Sequence, residues 1–221
     1  MKNIIITGGS SSIGRKLINK ISLKKVNIIY QLNKSKPFIK KKNIIFFKSD
    51  FCNQESLKKF TNFVIKKTNK IDFLIHLPSC KVQIKKFEDY SWSEINNQIN
   101  IQVRSLHFLL SRLIKKNKIS NKTKIIILGS DATSGKPPRG MLDYVASKGL
   151  LKWYCDIFRR EFKDIKLTLL SPNMFKSPLL SNLPEFFIEK NSKKTSYKSQ
   201  IVKKILSILK LYNLFLILKI S

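Results

Sequence analysis

Asn3-Ile4-Ile5-Ile6-Thr7-Gly8-Gly9-Ser10-Ser11-Ser12-Ile13-Gly14 is the stretch on which the fold turns. Asn3 to Ile6 is a short apolar run, the pattern of a strand buried on both faces of a parallel sheet. Beyond the turn, Ile13, Leu17 and Ile21 recur at helical spacing. Strand, small-residue turn and helix in that order make an anion-binding opening. Residues without bulk let the backbone approach a pyrophosphate, and the helix N-terminus favours the negative charge. The stretch reads as a dinucleotide-cofactor turn built from Thr7, Gly8, Ser10, Ser11, Ser12, Ile13 and Gly14, against the plain alternative of an ordinary tight turn.

Working outward, buried-strand runs recur at Val26–Tyr30, Ile44–Phe47, Ile71–Ile75, Thr123–Leu128 and Ile165–Leu170. Helical periodicity fills the intervals. Leu57, Phe60, Val64 and Ile65 mark one helix, with Asn53 as its cap; Trp92, Ile95, Ile99, Val103, Leu106, Leu110 and Leu113 mark a long one from Ser91 to Lys116. A third begins at Tyr144 and continues through Leu151, Cys155 and Phe158. This alternation predicts an α/β fold, a single Rossmann-type doubly wound parallel sheet with helices on both faces, spanning 1–221 as one domain. Ligands of such sheets sit at the strands' C-terminal ends. Ser196 to Lys210 reads as a basic amphipathic helix and Leu214 to Leu218 as a last strand.

The formal charge of +31 invites a nucleic-acid or anionic-membrane partner. The excess is nearly all lysine, spread along the chain, in a sequence also rich in Ile and Asn with only two alanines, Ala132 and Ala146. Arginine is the better phosphate fork. The charge therefore reads as a residue-usage preference and argues against nucleic-acid binding. Cys52, Cys80 and Cys155 show neither disulfide nor zinc spacing, which suits a reducing, cytoplasmic setting. The apolar run before the glycine turn is too short for a signal-peptide core. The final apolar stretch is shorter than the ~20 residues that span a bilayer. Surface anchoring through Ile205, Leu209, Phe215 and neighbouring lysines stands as an alternative to burial in the fold.

Tyr144-Val145-Ala146-Ser147-Lys148 carries the chemistry. On a helix this spacing puts the phenol and the ammonium on one face. A neighbouring cation favours phenolate, bringing a group of ordinary pKa ~10 closer to proton exchange at neutral pH. The bland reading is a half-buried tyrosine beside a solvated lysine. His76 reads as a strand-end residue facing neighbouring chain, not as a base.

Taken with Ser130, the glycine turn and the Tyr144/Lys148 pair resemble the short-chain dehydrogenase/reductase family of the classical type, over residues 3–178. Thr7, Gly8, Ile13 and Gly14 match its TGxxxGIG turn, with Ser12 at the middle glycine. Asp50-Phe51 is similar to the family's adenine-holding pair. His76-Leu77-Pro78-Ser79 replaces its NNAG, leaving Leu77 beneath the cofactor without an amide side chain. Pro172-Asn173-Met174-Phe175-Lys176-Ser177 resembles its PGxxxT. Asn173 is expected to adopt the left-handed backbone of the glycine it replaces, and Ser177 to contact the nicotinamide carboxamide.

The resemblance implies Tyr144 as proton donor, Lys148 as the group that lowers its pKa and holds the ribose, and Ser130 as the donor to the substrate oxygen. Asn100 would support a proton relay through its backbone carbonyl, with Asn96 and Asn97 as competitors. Ser130 lies one residue farther from Tyr144 than the family's serine does, and Asp131 occupies that register. An ionised carboxylate only accepts hydrogen bonds, so Ser130 is preferred, with Ser134 as the outside candidate.

An NAD site would place an acidic side chain after the second strand. Asn33, Lys34 and Ser35 stand there instead and suit a 2′-phosphate, which favours NADP over NAD. The implied activity is NAD(P)-dependent oxidation or reduction of a small-molecule carbonyl or alcohol by a homo-oligomer, with residues 179–195 where the family carries a substrate lid and no metal. Two rivals remain. One is a nucleotide-sugar epimerase or dehydratase, suggested by His76-Leu77; the other is a cofactor-binding regulatory or scaffold protein whose altered Ser12, Leu77 and Asp131 reflect lost turnover.

Overall fold

The computed structural model describes residues 1–175, 177–185, 188 and 197–209. Strands β1 (Lys2–Thr7), β2 (Val26–Leu32), β3 (Ile44–Lys48), β4 (Phe73–His76), β5 (Lys124–Leu128) and β6 (Lys166–Leu170) form one parallel sheet in the order β3-β2-β1-β4-β5-β6. The helices are α1 (Ser12–Ile21), α2 (Gln54–Lys67), α3 (Trp92–Ile99), α4 (Ser105–Lys115), α5 (Leu142–Glu161) and α6 (Tyr197–Ile208). The doubly wound parallel fold expected from the sequence is the one observed. Winding reverses between β1 and β4, where the loops at the C-terminal ends part to leave a crevice.

β1 shows how the apolar runs produce two layers. Successive side chains point to opposite faces. Ile4 and Ile6 pack with Leu17 and Ile21 of α1 and with Ile201 and Ile205 of α6. Ile5 faces the other way, among Leu57 and Phe60 of α2, Leu106 and Leu110 of α4, and Leu151 and Phe158 of α5. Both faces of the strand are therefore dry, and polar alternation is absent.

The helix expected from Ser91 to Lys116 is interrupted. A reciprocal Ser91/Glu94 capping box opens α3, and a π turn at Asn100–Arg104 separates it from α4. Trp92, counted among the periodic apolar positions, is 71% exposed. Beyond α4, Asn117 takes a left-handed backbone (φ 52°), letting the Lys118 N–H reach the Leu113 carbonyl at 2.8 Å. It is the only non-glycine residue with positive φ among those described. Asn173 therefore does not adopt the left-handed conformation expected of it.

Ile205 and Leu209 are fully buried in the α1 layer, while Lys203 and Lys204 face outward. Their apolar face is used by the core and is not free for a membrane surface. Among the described residues no helix is long and apolar enough to cross a membrane. Phe215, the expected strand from Leu214 to Leu218, Lys176, and residues 186, 187 and 189–195 of the expected lid lie outside the described residues.

His76 ends β4 in full burial, its Nε2 2.9 Å from the Gln102 carbonyl and its Nδ1 2.8 Å from the Thr7 hydroxyl. A carbonyl only accepts, so Nε2 carries the hydrogen and Nδ1 accepts from Thr7. The ring is a neutral strand-end group, as expected, and burial holds its pKa down to about 3. Unfolding restores a value near ~6.5. Between these values the unfolded chain binds more protons, so stability is complete above the upper one and falls as pH drops toward the lower. Stability is therefore expected to decline steadily with each pH unit lost inside that window. Denaturant titrations from neutral to acid pH should show the slope, and a His76→Gln protein should lack it.

Candidate active site

The cradle starts where β1 and β4 meet. Gly8 has φ +68°, and a Cβ there would stand 2.7 Å from the Pro78 nitrogen and 2.9 Å from the Leu77 carbonyl carbon. A Cβ on Gly14 would stand 2.7 Å from the Gly9 oxygen. The two glycines let the turn fold against its own helix and against the β4 exit. Ser11 caps α1 by accepting the Gly14 N–H at 3.0 Å. Ser12 is the first helical residue and its φ is not positive, so the serine at the family's middle glycine needs no special backbone freedom.

Gln31 holds this turn in place, and the sequence reading gave it no role. Its Oε1 accepts the Gly8 N–H at 2.8 Å, its Nε2 donates to the Ser49 carbonyl at 2.6 Å, and its own carbonyl accepts the Gly9 N–H at 2.9 Å. A signal was available: a glutamine inside the apolar run Ile28-Ile29-Tyr30-Gln31-Leu32 must find partners when buried.

The turn opens into a cavity of about 620 Å³ along the C-terminal ends of the strands. Gly8, Ser10, Ser11, Ser12, Ile13, Asn33, Phe51, Leu77, Ser130, Tyr144, Lys148, Pro172 and Ser177 line it. The close-packed glycine turn, the capped N-terminus of α1 and the volume fit a dinucleotide. Five residues expected at the site lie behind or beside the wall. Thr7 holds His76; Gly14 packs under the turn; exposed Lys34 stands outside; and Asp50 accepts the Cys52 N–H at 2.9 Å, next to the Phe51 that lines the wall. Asn100 is the fifth. Its carbonyl accepts the Ser105 N–H within the π turn, and Ile101 reaches the cavity in its place.

Tyr144 and Lys148 lie one turn apart on α5. Burial pushes the Tyr144 phenol above its usual pKa, while the Ser130 hydroxyl, facing it, favours the ionised form. Ser130 is buried, and its Oγ accepts the Ala132 N–H at 3.2 Å; Asp131 is exposed and opens the short 3-10 turn Asp131–Thr133. The geometry thus turns Ser130, and not Asp131, toward the phenol. Ser134 also lines the cavity.

Residues 2–186 match the family model described as short chain dehydrogenase. The chain belongs to that family. A 3-oxoacyl-(acyl-carrier-protein) reductase of Buchnera aphidicola subsp. Baizongia pistaciae is 25% identical over 206 residues, which cover 89% of this chain and 83% of that protein. A short chain dehydrogenase from Burkholderia cenocepacia J2315, solved in complex with NADP, shares the fold with a TM-score of 0.78 at 15% identity, over 93% of this chain and 89% of that one. The 3-ketoacyl-(acyl-carrier-protein) reductase from Brucella melitensis, complexed with NADH, gives 0.76 at 14%, over 92% and 88%.

In this short-chain dehydrogenase the lysine departs from the simple expectation. Lys148 is buried, its Nζ donates to the Leu128 carbonyl at 2.7 Å and lies 5.8 Å from the Tyr144 ring centre, and burial lowers its pKa to about 7. The unfolded value is near ~10.4. The unfolded chain holds more protons across that window, so this group's penalty is full below the folded value and is relieved as pH rises toward the unfolded one. A Lys148→Met protein is therefore expected to gain most in melting temperature relative to the parent at neutral pH and below. That advantage should shrink as pH is raised, a trend that thermal melts across the alkaline range would reveal.

A polar network behind the pair also escaped the sequence reading. Gln102 Nε2 donates to Ser147 Oγ at 3.0 Å and to Gln98 Oε1 at 2.8 Å, and Gln98 Oε1 also accepts the Cys80 N–H at 3.2 Å. Asp143, also buried, accepts the Tyr144 N–H at 2.7 Å. The network ties the β4 exit to α5 at the residues preceding Tyr144 and Lys148. Helical periodicity gave no warning, because it marks apolar faces and these positions are polar.

Proposed function

We propose that the protein is an NADPH-dependent carbonyl reductase, acting in reverse as an alcohol dehydrogenase. The observation that carries this reading is the Tyr144 phenol facing the Ser130 hydroxyl in the cavity that the glycine turn enters, with Lys148 buried one helical turn away. When bound, the nicotinamide cofactor supplies the hydride. Tyr144 donates the proton to the carbonyl oxygen, and its raised pKa suits that direction because the phenol stays protonated at neutral pH. Ser130 donates a hydrogen bond to the same oxygen and holds it in place. Lys148 binds the ribose, where new hydroxyl partners favour its ammonium form.

Gly8 and Ser10 to Ile13 take the pyrophosphate at the start of α1, Phe51 flanks the adenine, and Ser177 meets the carboxamide. Asn33 at the cavity edge and exposed Lys34 take the 2′-phosphate, since residues 31–36 carry no acidic side chain. The NADP complex of the Burkholderia relative supports this choice. Three free thiols, Cys52, Cys80 and Cys155, suit a reducing cytoplasm. Leu150, Trp153 and Ile157, exposed along one face of α5, suit a homo-oligomer.

Fluorescence titration with NADPH, followed by a carbonyl panel, tests the reading. Binding with no turnover favours the regulatory or scaffold protein, turnover of nucleotide sugars favours the epimerase, and no binding refutes all three. Within the same assay Ser130→Ala is expected to lower kcat by about 10²-fold or more, while Asp131→Asn should stay within a few-fold of the parent.

A further inference from the structure

The substrate half of the cavity is built unlike the cofactor half. Its wall is formed by Val82, Met141, Met174, Leu179 and Leu180, packed around Tyr144. Leu183 and Ile188 back it from behind. Two backbone clamps hold the wall together: the Val82 N–H donates to the Leu179 carbonyl at 2.9 Å, and the Lys85 N–H to the Gly140 carbonyl at 3.0 Å. Tyr90 adds its hydroxyl to that same carbonyl at 2.8 Å. Gly140, with φ +73°, makes the second clamp possible, because a Cβ there would stand 2.9 Å from the Ile84 side chain. The apolar surface is thus a fixed part of the fold.

Polar groups are distributed just as unevenly. Ser130 and Tyr144 place their hydroxyls together, whereas Lys81, Asp131, Ser134 and Lys136 are all exposed and Asn173 is half-buried at the β6 exit. A polyhydroxylated substrate would need a partner for every hydroxyl it buries. The side chains of Val82, Met141, Leu179 and Leu180 offer none. Met141 and Met174 give the wall some adaptability, since an unbranched thioether follows chains of different shape.

We propose that the site selects carbonyl compounds carrying an unbranched apolar chain, graded by chain length, and rejects polyhydroxy ketones and nucleotide sugars. This rests on the reductase reading above. In the reaction the carbonyl carbon gains hydride from NADPH and the oxygen gains the Tyr144 proton, which solvent then replaces. The products are a secondary alcohol and NADP⁺.

Initial rates with NADPH across methyl ketones from butanone upward, with dihydroxyacetone as the polar counterpart, test the idea. Each added methylene is expected to raise kcat/KM by about fourfold until the pocket is filled. Dihydroxyacetone should fall about 100-fold or more below the best ketone, corresponding to two or three such steps and its unpaired hydroxyls. Leu179→Gln, at a half-buried position, should reduce the gain per methylene. Ketone reduction with no dependence on chain length, or a preference for dihydroxyacetone, overturns the proposal and leaves the reductase reading intact. NADPH binding without reduction of any carbonyl overturns both.

Discussion

Tyr144→Phe is expected to lower kcat by about 10³-fold, within the range that a positioned general acid contributes, while leaving NADPH affinity within a few-fold of the parent. The substitution removes one oxygen and keeps the ring. That ring packs against the Val82, Met141 and Leu180 cluster, so the apolar contacts that shape the pocket survive. Ser130 still donates a hydrogen bond, but a neutral hydroxyl is a poor proton source, and the carbonyl oxygen must then be protonated from water. The pH profile separates this loss from a structural one. In the parent, reduction should slow on an alkaline limb as the phenol ionises; burial moves that limb up, and an ammonium form of Lys148 beside the ring moves it down. The residual rate of Tyr144→Phe should lack that alkaline limb. A variant that retained full turnover, or one that kept the limb, would remove Tyr144 from the role of proton donor.

What could be read beforehand depended on whether the determining partners were close in sequence. The strands were legible because Asn3 to Ile6 and Thr123 to Leu128 are unbroken apolar runs, and a strand covered on both faces needs nothing else. The glycine turn was legible because it lies between a strand and a helix within a dozen residues. Spacing alone left a choice between the adjacent Ser130 and Asp131, and hydrogen-bonding capacity favoured the serine. Gln31 was missed because its meaning lies in Gly8 and Ser49, which flank it at a distance along the chain. The π turn was invisible for another reason. One wide turn shifts the helical face by a single residue, and Ile99, Val103 and Leu106 remain compatible with ordinary helical spacing. That shift leaves Asn100 bonded within the turn and puts Ile101 at the cavity, so the relay expected of Asn100 has no direct geometric support. Asn173 misled by analogy: an asparagine tolerates the left-handed region, but this exit does not use it.

The glycine turn itself gives the second large effect. Gly8→Ala is expected to weaken NADPH binding by more than about 100-fold, the size of effect that one misplaced backbone segment produces at a preorganised site, and to destabilise the protein by about 3 kcal/mol from left-handed strain plus overpacking. The new methyl would meet the Pro78 nitrogen at 2.7 Å and the Leu77 carbonyl carbon at 2.9 Å. Both are backbone atoms and cannot swing aside as a side-chain tip can. They belong to the β4 exit, which is joined to β1 through the Thr7–His76 pairing and through the Leu77 N–H, 3.1 Å from the Thr7 carbonyl. Relief therefore requires parting the two strands at their winding reversal or tilting the turn away from Gln31, and either movement displaces the N–H groups that would meet the pyrophosphate in the proposed complex. Gly149→Ala is the matched control. It lies within α5 with no atom in the way of a Cβ, and should stabilise the helix by about 0.5–1 kcal/mol. Thermal melts and NADPH titrations of the two alanine proteins should therefore move in opposite directions for stability, with binding lost only for Gly8→Ala. Parent-like binding by that variant would mean that the contact between the β1 and β4 exits does not position the cofactor.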